Sequence, residues 1–215
     1  MNILPEINVN SKYLEEIYKD LHSHPELGFE EERTSKIVQE KLKEYGVDEI
    51  HTEIGKTGVV GIIRGNDGGG NRRIGLRADM DALPIQEDTG LSYASRVDGK
   101  MHACGHDAHT TMLLGAAKYL AKTRNFSGTA ILIFQPAEEG QGGATKMLDD
   151  GLFKKFPCDE IYGIHNDPNG KNGEIGICKG KAMAGAAIFE ININGIGSHA
   201  AMPHQSKDPI IIAHE

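Results

Sequence analysis

The run AILIF at positions 130–134 constrains the fold of this chain most, because it is apolar on both faces. A strand of that kind lies inside a sheet that helices cover on each side. Two further runs rich in β-branched residues, at 59–63 and 74–78, also predict strands. Apolar residues recur at helical spacing in 11–21 and 30–45 and predict two amphipathic helices. The pattern predicts an α/β fold with a central, mostly parallel sheet flanked by helices.

The later part of this layer pattern follows the same order. A third helix is predicted before the AILIF strand, with Asp107 as its N-cap and Met112 among the residues that face inward. A short helix at about 144–150 and a strand at 160–166 come next. These elements complete an α/β layer pattern.

The character of the chain changes after position 178. Phe189, Ile191 and Ile193 alternate with polar residues in a period of two, which is typical of a strand with one wet face. A second domain is therefore expected to begin near Ala182. Residues 208–215 resemble the first turns of a helix, with proline at the first helical position.

Charge and composition exclude several classes of function. The chain has 215 residues, with 23 Lys and Arg against 31 Asp and Glu, and a net charge of −8 without a basic stripe. Nucleic acid is therefore not an expected partner. No apolar run approaches the roughly 18 residues of a membrane span, and the first residues lack the segments of a secretory signal. We expect a cytoplasmic protein without a membrane partner.

Three cysteines are an odd number, and none of them forms a CxxC pair, so a disulfide framework is not expected. Cys158 and Cys178 are interpreted as core residues. Cys104 belongs instead to the segment MHACGHDAH, which is dense in metal-ligating side chains. One glycine separates Cys104 from His106, so a thiolate and an imidazole can reach the same ion. Taken alone, such a short motif is more often a buried cysteine beside surface histidines.

Acidic and imidazole side chains also follow three predicted strands. Glu138 and Glu139 come after the buried AILIF strand, where ligands bind in open α/β sheets. Two adjacent carboxylates there can divide between metal binding and general-base work, although most such pairs are simply solvated. Asp79 and Asp81 share one face at the end of another strand, and His165 lies at the end of the last. Their combined placement predicts one converging site.

Five motifs in a fixed order carry a resemblance to a known family: RADMDALP, MHACGHDAH, FQPAEEGQGGA, GIHN and GSHAAMPH. They resemble the zinc- or manganese-dependent amidohydrolases and peptidases that include hippurate hydrolase, plant indoleacetyl-amino-acid hydrolases and N-acetyl-diaminopimelate deacetylase. The resemblance implies hydrolysis of the amide bond of small N-acyl amino acids. It also implies that residues 1–182 are the N-terminal part of a catalytic domain. Residues 183–215 would begin a smaller α+β lid and dimerisation domain, which the C-terminally truncated chain leaves incomplete.

The resemblance further implies a site with two divalent metal ions, zinc or manganese, with cobalt or nickel as alternatives. The implied metal ligands are Cys104, His106, Glu139 and His165. Glu138 would be the general base and Asp81 would support the site. His199, from the lid domain, would contact substrate across a homodimer.

Two departures from the family pattern bear on this interpretation. More distant peptidase relatives place a metal-binding histidine where this chain has Asp79, which favours the amidohydrolase branch. The family also supplies a further histidine ligand from a segment beyond this chain. Two alternatives therefore stay open at this point. One is an inactive truncated metal-binding fragment or interaction module, and the other is a cysteine hydrolase that uses Cys104 as its nucleophile.

Overall fold

The computed structural model describes residues 5–66, 70–171, 173–183, 185, 187 and 189–214. The chain divides into two compact units, Met1–Asn172 and Gly173–Glu215. The boundary expected near Ala182 falls inside the second unit and stays a prediction.

The first unit combines helices and strands in an α/β architecture, as expected. Its helices are α1 (Pro5–Asn8), α2 (Ser11–Ser23), α3 (Glu32–Glu44), α4 (His106–Thr123), α5 (Gly143–Asp149) and α6 (Leu152–Lys155). Its strands are β1 (Glu49–Ile54), β2 (Gly58–Arg64), β3 (Arg73–Asp79), β4 (Thr129–Gln135) and β5 (Glu160–Gly163).

The five strands form one sheet in the order β1-β2-β4-β3-β5. Strand β2 is antiparallel to both of its neighbours, whereas β4, β3 and β5 pair in parallel. Every strand except β2 therefore points the same way, which confirms the predicted mostly parallel sheet. The register places Asp79 opposite Gln135, so β3 and β4 end side by side. Their carboxyl ends open at one edge of the sheet.

The AILIF run is buried on both faces because each face of β4 belongs to a different core. Leu132 and Phe134 pack with α2, α3 and α4 on one side. Ile131 and Ile133 pack against α5 and α6 on the other side. Each of these side chains contributes about 1.5–3 kcal/mol by leaving water.

Three local predictions for the first unit were wrong or incomplete. Strand β1 was missed because its sequence, EIHTEI, is mostly polar, as suits a strand at the sheet edge. Met112 is 45% exposed, because the buried stripe of α4 runs through Leu113, Leu114 and Ala117. Asp107 is not the N-cap, since α4 begins at His106. The Asp107 carboxylate instead lies inside the first turn and contacts Nδ1 of His22 at 2.6 Å.

The second unit is described by itself. Helix α7 (Pro209–His214) confirms the predicted helix start, and a 3-10 turn covers Pro203–Gln205. The strand expected at 189–193 is wrong, because the described residues of this unit offer it no pairing strand. Phe189 is accordingly 81% exposed. Cys178 is also exposed, so its interpretation as a core residue was wrong.

None of the helices that the structure describes combines the length and the apolar composition that a membrane span requires.

Candidate metal centre

The candidate site lies where β3 and β4 end, beside the first turn of α4. Gly105 precedes that turn with a φ of 88°, a left-handed conformation that glycine adopts without strain. A Cβ at this position would come within 2.5 Å of Oδ1 of Asn166. The glycine therefore lets Cys104 and His106 face the segment that follows β5.

His106 occupies the centre of the site and is fully buried. Its Nδ1 contacts Oδ1 of Asp81 at 3.2 Å. Its Nε2 has no hydrogen-bond partner among the described residues. Three carboxylates surround that nitrogen, at 3.6 Å from Asp79, 3.9 Å from Glu138 and 3.7 Å from Glu139. Buried polar atoms in proteins nearly always have a bonding partner. A buried ring nitrogen that faces carboxylates without a hydrogen bond to any of them is therefore a candidate metal ligand.

Cys104 and His165 complete the cluster, with Sγ lying 3.4 Å from Nε2 of His165. Candidate ligand atoms of Cys104, His106 and His165 all lie within 4.8 Å of one another, and so do those of His106, Glu138 and Glu139. Two ligand atoms that share a tetrahedral zinc ion, each about 2.1 Å from it, lie about 3.4 Å apart. The spacing of these donors therefore fits a divalent metal ion.

The electrostatics of the cluster point the same way. Burial first, and then the neighbouring carboxylates of Glu139 and Glu138, raise the pKa of Cys104 to about 12. Burial lowers the pKa of His106, but the hydrogen bond to Asp81 and the charge of Asp79 outweigh it, so the net pKa is raised. The protein places excess negative charge here, which a divalent cation would neutralise. A thiol with so high a pKa is a poor free nucleophile.

Asp81 contacts two parts of the site at once. One oxygen faces His106, and the other accepts a hydrogen bond from the backbone N–H of Glu139 at 2.9 Å. Burial raises the pKa of Asp81, but these hydrogen bonds outweigh burial and the pKa is lowered. The ionised carboxylate therefore ties the imidazole to the backbone of the glutamate pair.

Sequence reasoning missed the pairing of Asp79 with His109. Oδ1 of Asp79 lies 2.6 Å from Nδ1 of His109, and Oδ2 lies 2.8 Å from Nη1 of Arg77. Nε2 of His109 lies 2.7 Å from Oδ1 of Asn166, the residue after His165. The signal was the spacing of the two histidines in α4, since residues three apart share a helix face.

The predicted substrate contact, His199, lies in the second unit. It is exposed, and its Nδ1 accepts a hydrogen bond from the backbone N–H of Ala201 at 3.1 Å. Its role at a site in the first unit stays a prediction.

Comparison with known proteins decides the family. Residues 75–213 match the profile described as "Peptidase family M20/M25/M40". The chain belongs to this family. It is 51% identical over 213 residues to "Hippurate hydrolase" of Campylobacter jejuni, covering 99% of this chain and 55% of that protein. It is 46% identical over 196 residues to "N-acetylcysteine deacetylase" of Bacillus subtilis, covering 91% of this chain and 50% of the relative.

A solved M20 structure supports the same assignment. It is a Bacillus subtilis protein described as "a Dinuclear Metal Binding Peptidase from M20 Family", with a TM-score of 0.70 and 44% identity. The similarity covers 75% of this chain and 45% of that one. The chain thus spans about half the length of the curated M20 relatives it matches.

Proposed function

We propose that the protein hydrolyses the amide bond of N-acyl amino acids at the cluster around His106. The observation that carries this proposal is the buried Nε2 of His106, which has no hydrogen-bond partner in the described part of the chain and lies among three carboxylates, next to Cys104 and His165. Hippurate and N-acetylcysteine, which the names of two relatives mention, are both N-acyl amino acids. The substrate class is proposed on that chemical similarity.

The proposed metal ligands are Cys104, His106, Glu139 and His165. Zinc and manganese are the first candidates for two bound ions, with cobalt and nickel next, because thiolate and imidazole suit zinc and carboxylates suit manganese. When bound, such ions lower the pKa of a water molecule and polarise a substrate carbonyl. Cys104 would bind as a thiolate and would not form a covalent bond with substrate.

Glu138 is the proposed general base. Its side chain is 40% exposed, against 26% for Glu139, so it is the more accessible of the two to water and substrate. The Glu138 carboxylate takes a proton from the water that attacks the amide carbon. It then delivers that proton to the leaving nitrogen as the C–N bond breaks, so the carboxylate is regenerated. Asp81 is proposed to orient both His106 and the backbone of this pair.

The remaining proposals concern the whole protein. A homodimer formed through the second unit would bring His199 to the substrate of a partner subunit, and the protein would act in the cytoplasm. The homodimer and the role of His199 rest on the family resemblance described above, and the cytoplasmic location rests on the sequence expectation given before it.

The deciding experiment measures metal content and turnover together. The protein is loaded with zinc, manganese, cobalt or nickel and assayed on a panel of N-benzoyl and N-acetyl amino acids. Two bound ions with hydrolysis support the proposal. Bound metal without hydrolysis of any substrate would instead support a metal-binding or interaction module.

A further inference from the structure

Glu31 is a buried carboxylate next to the loop that carries Glu138. It is fully buried, although Glu30 and Glu32 on either side of it are exposed. Its Oε1 accepts a hydrogen bond from the backbone N–H of Ala137 at 2.8 Å. Its Oε2 accepts a second one from the hydroxyl of Thr57 at 2.6 Å. The first of these bonds joins residues 106 positions apart in the sequence.

Ala137 is the only residue between Pro136 and Glu138, and its backbone has a φ of 48°. Residues other than glycine adopt this left-handed conformation at a cost in free energy, so the surroundings must hold them there. The carbonyl of Ala137 accepts a hydrogen bond from the N–H of Gly143 at 2.9 Å. A Cβ at Gly28 would lie 3.0 Å from that of Ala137, so Ala137 is also packed closely.

The loop 136–143, which we call the glutamate loop, is thus fixed at Ala137 from two sides. The direction of the chain leaving Ala137 determines where the next side chain, Glu138, points. The N–H of Glu139 is held in turn by Asp81 at 2.9 Å. Glu31 and Asp81 therefore accept hydrogen bonds from the backbone of Ala137 and Glu139, on either side of Glu138 in the turn that faces His106.

We propose that Glu31 is a positioning residue for Glu138, acting through its hydrogen bond to the N–H of Ala137. This inference rests on the proposed function, in which Glu138 is the general base. Hydrogen bonds to an ionised acceptor are shorter and stronger than neutral ones, so a carboxylate fixes the direction of an N–H group better than an apolar side chain could.

The cost of burying this carboxylate supports a specific task for it. Burial raises the pKa of Glu31, and hydrogen bonds from Thr57 and from three backbone amides offset only part of that rise, so the net pKa stays raised. The four donors come from three segments. Two backbone amides lie in the chain before α3, the Ala137 amide lies in the glutamate loop, and the Thr57 hydroxyl lies just before β2. The carboxylate is therefore the common acceptor where these segments converge.

The test compares Glu31→Gln, Glu31→Met and the double variant Glu31→Met with Ala137→Gly. Glu32→Gln is the matched control, because Glu32 is the exposed neighbour. Five quantities are measured on the metal-loaded protein: metal stoichiometry, melting temperature, kcat on hippurate, KM on hippurate, and hydrogen exchange of the Ala137 amide. Exchange reports on the contact itself and does not need activity.

For Glu31→Met we expect faster exchange at Ala137 and a kcat lowered about 10- to 100-fold with KM within twofold, since a displacement near 1 Å can cost about 100-fold. Glu31→Gln should fall between this variant and the wild type, because its amide oxygen still accepts one hydrogen bond. Adding Ala137→Gly should restore kcat at least threefold, because glycine adopts the left-handed conformation unaided. A residue that only stabilises the fold would lower the melting temperature without this rescue.

Unchanged exchange at Ala137 in Glu31→Met would overturn the proposal, and so would a loss of kcat that Ala137→Gly does not relieve. If Glu31→Met does not fold, Glu31→Gln alone decides by the same exchange measurement. Failure of the proposed function looks different. In that case the wild type shows no hydrolysis, or Glu138→Gln keeps full turnover, while exchange at Ala137 still shows whether Glu31 holds the glutamate loop.

Discussion

Asp79 and His109 form a buried pair at 2.6 Å that joins the end of β3 to α4. The far side of the imidazole reaches Asn166, which places the residue after His165 under the same constraint. Both ring nitrogens of His109 are thus engaged within the protein. Ligand atoms of Asp79, His106 and His109 also lie within 4.8 Å of one another, but these two contacts favour His109 as a residue that would orient the proposed metal centre from outside.

The first prediction follows from this pair. His109→Ala should leave two metal ions per chain at saturating metal but weaken metal affinity about 10- to 100-fold. This is the usual effect of removing a residue that orients the metal ligands without binding the metal itself. The reason is that Asn166 loses its hydrogen bond to His109, so the neighbouring His165 is held less firmly. Titration against a competing chelator measures the affinity, and Met112→Ala, an exposed change in the same helix, is the control. Unchanged affinity would show that His165 is held by other contacts.

The second prediction concerns Glu138. Glu138→Gln should keep both metal ions while turnover falls by about two to four orders of magnitude, because a general base contributes on that scale. Metal analysis and kcat on the same sample provide the measurement. Retained turnover would remove Glu138 from the mechanism.

The third prediction separates the ligands from the base. Glu139→Gln and His165→Ala should lower metal occupancy, since an amide or a missing imidazole cannot replace a charged or strongly donating ligand. Metal content after dialysis is the measurement, and Glu138→Gln is the matched comparison for Glu139→Gln. Equal metal loss in the two glutamine variants would mean that the roles of Glu138 and Glu139 are exchanged.

Local sequence patterns predicted most helices and strands of the first unit, because the periodicity of apolar residues reflects which faces of an element are buried. AILIF had to be a strand buried on both faces, and β4 is that strand between two separate cores. The pattern of Phe189 to Ile193 was equally regular, yet no strand forms there among the described residues. A strand needs a partner that supplies its hydrogen bonds, and alternation in one segment cannot provide that partner.

The same distinction holds at the site. Cys104, His106, Glu138, Glu139 and His165 could be proposed because each follows a predicted strand or precedes a helix. Glu31 could not be proposed from the sequence. Its inferred role depends on a hydrogen bond to Ala137, which is 106 positions away, and on a backbone φ angle that the residue type does not indicate. The contacts that hold a site in place are long-range, so sequence reasoning finds the ligands first and their supports last.

The last prediction concerns His102, which precedes Cys104 by two positions. The side chain is 5% exposed, and neither ring nitrogen has a hydrogen-bond partner among the described residues. Burial lowers the pKa of His102 from 6.5 to about 4, because the charged ring would be poorly solvated.

Below pH 6.5 His102 is therefore protonated in the unfolded chain, whereas in the folded protein it stays neutral until about pH 4. The free energy of unfolding should fall as the pH drops through this window, by about 2 kcal/mol between pH 7 and pH 5 from this group alone. Denaturant unfolding of the metal-free protein at the two pH values provides the measurement. In His102→Leu this part of the pH dependence should disappear, whereas His24→Leu, at a half-exposed position, should retain it. If wild type and His102→Leu lose the same stability between pH 7 and pH 5, the ring is protonated in the folded protein and must have a partner there.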